Sequence, residues 1–156
     1  QRVGGVVDAL DGLAVAIEAF QHLEAFTREA IEGIDDPADA LAALGRAYVT
    51  VAVEHPGHCA IVFRGDVVDA DDPGYREWGE RAHDVLTGAI ERLADRHNPD
   101  LDIEVAAALC WSTMQGLVGL YEPMRRMAEH DGAELPPIGD LAEQFSRIVT
   151  VGFVSR

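Results

Sequence analysis

"CWSTMQGLVGLY", residues 110–121, is the stretch on which the fold turns. Wound as a helix, it puts Ala107, Trp111, Met114, Gln115 and Val118 on one face, and Leu109, Thr113, Gly116 and Leu120 on the other. The first face is bulky, adaptable and carries one amide, the composition of a ligand-pocket wall. The second is small and apolar, so a neighbouring helix can approach it closely. Both faces are equally compatible with the interior of a plain helical bundle, where aromatic and methionine stripes also occur.

Working outward, every neighbouring segment also carries helical signals. Leu13, Ile17, Phe20, Leu23, Thr27 and Ile31 recur at spacings of three or four, and Gly33 ends that helix. Asp36 followed by Pro37 is a cap-and-proline start, since proline at the first helical position lacks an N–H that would go unpaired anyway. The helix it opens carries Leu41, Leu44, Tyr48 and Val51, and stops before "HPG" because Pro56 disfavours a helical His55. Asp72–Pro73 repeats the device and opens a long helix to about Arg96, with Tyr75, Trp78, Ala82, Leu86, Ala89 and Leu93 on its buried side. Asp100 or Asp102 caps the next, which contains the opening stretch; Pro123 predicts a kinked continuation or a short separate helix. The closing helix places Leu141, Phe145, Ile148, Val149, Gly152 and Phe153 on one side. No alternating strand pattern is present, so the predicted fold is all-α, a helical bundle of about six helices.

Composition narrows the function. The 156 residues amount to one domain, and 48% are hydrophobic, enough for a core. The net charge is −16, no lysine occurs, and the arginines are scattered, so this stretch of chain itself is not expected to hold nucleic acid. No uninterrupted apolar run of about 18 residues argues for a membrane span, and "QRVGGVVDAL" lacks a cleavage signature. Cys59 and Cys110 read as two free thiols of a cytoplasmic protein, with a Cys59–Cys110 bridge as the alternative.

Reactive chemistry is sparse. "EHPGHC" offers Glu54, His55, His58 and Cys59, but no second pair follows at ligand spacing, so no metal is expected and the segment reads as a helix-ending turn. "RGDVVDADD" lacks the closing glutamate of a calcium loop. Ser112 sits in mid-helix without a nucleophile elbow, and no phosphate loop is present, so neither catalysis nor a cofactor is expected.

The order of these elements resembles the regulatory domain of TetR-family transcription regulators from about Asp11 onward. The resemblance rests on "DPADALAALGRAYVTVAVEHPGHCAIVF", the long helix after it, and a Trp-x-x-x-His-Gly signature standing here as Trp111, Gln115 and Gly116. Gln115 replaces the histidine, keeping hydrogen-bonding capacity and losing the titratable site. The resemblance implies a ligand-responsive regulator, expected to be a repressor. Residues 1–12 would be a remnant or linker from an N-terminal helix-turn-helix domain, and residues 13–156 the ligand-binding and dimerisation domain. It implies a small hydrophobic ligand walled by Tyr48, Phe63, Trp78, Leu86, Trp111, Met114, Gln115, Val118 and Tyr121. It further implies a homodimer through a four-helix bundle formed by Thr113, Gly116, Leu120, Phe145, Ile148, Val149, Gly152 and Phe153, with operator DNA bound only by the preceding domain. The alternative is a helical-bundle binding protein or enzyme for a hydrophobic small molecule, without DNA regulation.

Overall fold

The computed structural model describes residues 3–62, 64 and 68–154, with side chains from residue 12 onward. Among the described residues the chain forms six helices and no strand: α1 (Val3–Ile31), α2 (Pro37–Glu54), α3 (Pro56–Val62), α4 (Pro73–His97), α5 (Ile103–His130) and α6 (Ile138–Val154). The all-α prediction therefore holds. Residues 3–12 run in the same helix as 13–31.

The starts and stops follow local chemistry. Asp36 Oδ1 accepts from Ala38 N at 2.9 Å and Asp39 N at 3.0 Å, with Pro37 in the first turn. These backbone donors hold its carboxyl below the usual range. Asp72 accepts from Tyr75 N, and Asp102 from Val105 N. Gly33 and Gly132 close α1 and α5 at φ 75° and 71°, the left-handed region in which other residues are strained. Pro56 ends α2 as expected, and the turn that follows leads directly into a short helix of about two turns, α3. Pro123 does not split α5. Glu122 pairs with both Arg125 and Arg126 across that turn, and those partners pull its carboxyl down to about 2.

α2 is the central element, buried along most of its length. One core cluster joins it to α4, α5 and α6 through Leu41, Leu44, Ile90, Leu93, Ala107 and Phe153. A second joins it to α5 and α6 through Val49, Met114, Leu117, Leu141 and Ala142. A third, of Ala19, Phe20 and Val62, packs α1 on α3 and, through Tyr75 and Trp78, on α4. α2 and α6 approach closely at Gly45, where a Cβ would stand 2.2 Å from Ser146 Oγ.

α5 has a second character. By length and composition alone it is apolar enough to cross a membrane. Its apolar residues divide between the bundle and a surface stripe of Val105, Leu109, Leu120 and Met127, which are 49–68% exposed. Ser112 and Gly116 fall on the same stripe, and α6 continues it with exposed Ile148, Val151 and Gly152.

Candidate functional site: an apolar cavity between α1, α2, α4 and α5

A cavity of about 100 Å³ lies at the centre of the bundle. Phe20, Leu23 and Thr27 face it from α1, and Leu41, Leu44, Gly45 and Tyr48 from α2. α4 supplies Gly79, Ala82, His83, Val85 and Leu86; α5 supplies Cys110, Trp111, Thr113 and Met114; α6 adds Ser146 and Val149. Each helix contributes positions three or four apart, as expected of amphipathic helices meeting around a common centre.

The few polar groups are placed by their own helices. Trp111 Nε1 donates to Tyr48 Oη at 3.2 Å, linking α5 to α2 across one side. Burial pushes the Tyr48 phenol up to about 12 against the opposing effect of the Trp111 hydrogen bond, so it stays protonated and able to donate. Burial also raises the Cys110 thiol to about 11, which makes it inert as a nucleophile near neutrality. Thr27 and Thr113 hydroxyls donate to the carbonyls of Leu23 and Leu109, each one turn back. His83 sits at the edge with its Nε2 3.2 Å from Glu104, joining α4 to α5. This set offers shape, apolar contact and one phenol. The His83–Glu104 pair lies at its edge with no nucleophile beside it among the described residues, since the Cys110 thiol is held protonated, and both cysteines are free thiols.

The predicted wall residues divide. Tyr48, Leu86, Trp111 and Met114 line the cavity. Phe63 lies outside the described residues. Trp78 turns toward the Phe20–Tyr75 cluster, where Arg81 lies 4.3 Å from its ring centre. Val118 and Tyr121 pack one to two turns beyond Met114 against the Val49–Leu117 cluster, and Tyr121 Oη donates to Pro136 O. Gln115 is half-buried on the flank away from the cavity. The eight residues predicted for a dimer face divide too. Gly116, Leu120, Ile148 and Gly152 are exposed, whereas Phe153 is 6% exposed in the protomer's own core. Phe145 packs on the Val49 cluster, and Thr113 and Val149 face the cavity.

Two features have no clear sequence signal. Glu24 on α1 is buried, pairs with Arg28 at 2.6 Å, and reaches Arg81 of α4 at 3.9 Å. His22 of α1 meets His55 and His58, which the sequence had paired only with each other.

The same architecture occurs in solved structures. A protein of unknown function from Rhodococcus sp. RHA1 superposes with a TM-score of 0.76 at 22% identity, over 92% of this chain and 73% of that one. PfmR, a TetR family transcriptional regulator from Thermus thermophilus, superposes with a TM-score of 0.68 at 14% identity, over 93% and 75%. No curated protein matches this chain. Residues 41–135, from the α2 wall through the α5 wall of the cavity, match the model of the tetracyclin repressor-like C-terminal domain, and the chain belongs to that family.

Proposed function

We propose that this chain is the ligand-binding and dimerisation domain of a cytoplasmic, non-enzymatic transcription regulator, a repressor that releases its operator when a small hydrophobic molecule enters the bundle. The observation that carries this reading is the cavity, apolar on nearly all sides with the Tyr48–Trp111 pair as its polar mark. Tyr48, Leu86, Trp111 and Met114 are the contacts we assign to the ligand. Operator contact belongs to a helix-turn-helix domain joined through α1, since the net charge of −16 makes this chain a poor partner for phosphates.

Size supports a mechanism. The cavity, at about 100 Å³, is smaller than the apolar void of about 150 Å³ that accepts benzene. A larger effector either extends through the open side or parts the walls, and α1 is one of them. Displacing α1 changes the spacing of two DNA-reading heads in a dimer, and coupling of this kind is worth about 1–3 kcal/mol. The exposed stripe of Gly116, Leu120, Ile148 and Gly152 supports a homodimer: apart from the adjoining backbone of its own helix, no described residue comes within 4 Å of a Cβ built on either glycine, leaving room for a partner helix.

Tryptophan fluorescence of the Trp78→Phe variant isolates Trp111 as the reporter. Titration with benzene, indole and decanoate is expected to give a saturable change for at least one of them. Ala82→Phe, which fills the cavity, is expected to abolish it. A linear, non-saturating response to all three, with unchanged thermal midpoints, would refute the sensor reading.

A further inference from the structure

We infer a transition-metal site formed by His22, His55 and His58, beside the main cavity and separate from it. His22 comes from α1, His55 caps the C-terminus of α2, and His58 lies on α3. One ring nitrogen from each lies within 4.8 Å of the other two. The His22 and His55 rings are 4.6 Å apart at 62°, and the His55 and His58 rings stack 5.4 Å apart at 14°.

A second observation points to a ligand. His58 Nδ1 is buried and has no hydrogen-bond partner among the described residues. A buried polar atom without a partner is unfavourable, and coordination of a metal ion through that nitrogen would remove the conflict. Both His22 and His58 line a second void of about 30 Å³, large enough for a single ion with a bound water.

Three neutral imidazoles suit zinc, cobalt, nickel or copper(II), and do not suit magnesium or calcium, which take oxygen ligands. Tetrahedral zinc with bonds of about 2.0–2.1 Å places its nitrogens roughly 3.3 Å apart, so modest side-chain rotation closes the present cluster. Three protein ligands leave one position for water or an anion. The backbone geometry favours convergence: His55 and His58 are held by the tight α2–α3 turn, where Cys59 N donates to His55 O.

The consequence is mechanical. Phe20, Leu23, Tyr48 and Trp111 line both voids. A metal ion would thus staple α1 to the α2–α3 turn on the wall the two voids share. That this staple sets the position of α1 in a regulator rests on the function proposed above; metal binding itself does not.

The test is titration of the tag-free, chelator-treated chain with Co²⁺, read by its visible absorption, followed by Zn²⁺ competition. One ion per protomer is expected, with a higher thermal midpoint in Zn²⁺. His22→Ala and His58→Ala should each weaken Co²⁺ binding at least about tenfold, given that losing even an outer-shell partner costs that much. His97→Ala, on an exposed helix end, should leave it unchanged. His22→Gln, which preserves bulk and polarity, guards against a folding artefact and should weaken binding equally. Binding unchanged by either His22 substitution, or retained in a variant with His22, His55 and His58 all replaced by alanine, would overturn the site. Neither readout involves the apolar ligand or operator DNA, so failure here leaves the sensor reading standing.

Discussion

Substituting Gly45 by alanine tests how tightly the cavity floor is set. The new Cβ would stand 2.2 Å from Ser146 Oγ, and 3.3 Å from both Ala142 O and Met114 Sδ. Helix propensity alone favours alanine over glycine by about 1 kcal/mol. Against that stands overpacking of about 1–3 kcal/mol, at the upper end here because Ser146 is 9% exposed and has little room to rotate. The expected net loss is about 1–2 kcal/mol, a fall in thermal midpoint of roughly 2–8 °C for a domain of this size. Ser146→Ala removes the closest atom. In that background Gly45→Ala should cost nearly nothing, leaving a coupling of about 2 kcal/mol between the two sites. Urea unfolding of the four proteins, at one fixed protein concentration so that any dimer linkage is constant, measures it. Additivity within about 0.5 kcal/mol, or a stabilised Gly45→Ala, would show that α2 and α6 do not meet at this distance.

Leu120→Glu and Ile148→Glu, at positions 58% and 70% exposed in the protomer, should dissociate the proposed homodimer without unfolding the chain. Burying each leucine or isoleucine contributes about 1–2 kcal/mol at this exposure, twice over in a two-fold interface. Sedimentation equilibrium should therefore show dimerisation weakened at least about 100-fold, and an unchanged association constant would place the interface elsewhere. Alkaline stability offers a second check. Folded Cys110 and Tyr48 titrate near 11 and 12, above their ordinary values of 9.0 and 10.0. The folded state thus holds protons that the unfolded chain releases, so their contribution is complete below about pH 9 and is lost as pH rises through 11 to 12. Cys110→Ala should flatten the pH 9–11 part of that decline; an identical slope in both proteins would refute the buried-thiol account.

What the sequence made legible is the chemistry that acts locally. Asp36–Pro37, Asp72–Pro73, Asp102 and Gly33 mark helix ends by capping and backbone geometry, which depend on a few adjacent residues. Periodicity also identified α5 as two-sided. It did not fix which neighbour covers each part of a face roughly 100° wide. The cavity side of α5 is centred nearer Cys110 and Met114 than Trp111, which brings Thr113 in and leaves Gln115 aside, whereas Val118 shares the Met114 side but lies one turn farther along, against the Val49–Leu117 cluster. On α4, Ala82, His83 and Leu86 lie level with the cavity, while Trp78, one turn earlier, packs with Phe20 and Tyr75. Phe153, beside the exposed Gly152, belongs to the other side of α6 and fills the core under Leu93 and Ala107. His22 joins His55 and His58 only because α1 crosses the α2–α3 turn, and a separation of 33 residues carries no periodic signal of that crossing.

The cavity walls are fastened to one another in different ways. α2 and α6 are joined by the Gly45 approach, by the Arg46 fork to Asp140 and Glu143 at 2.5 Å, and by Arg147 to Asp39 at 2.9 Å. Exposed ion pairs contribute little individually, but the packed backbones beneath them are costly to separate. α1 is held to α4 by Phe20 edge-on to Tyr75 at 5.2 Å, by Glu24 reaching Arg81 at 3.9 Å, and by close approach at Gly74 and Gly79. Gly79 lies under the Phe20 ring with no side chain of its own, so α1 can shift across α4 without lifting over one. On the proposed mechanism, a ligand too large for about 100 Å³ expands the cavity toward α1. The displacement then runs along the helix proposed to carry the DNA-reading domain. The metal staple proposed at His22 acts on that same helix from its other side, so an occupied site would resist the shift and raise the ligand concentration needed to produce it.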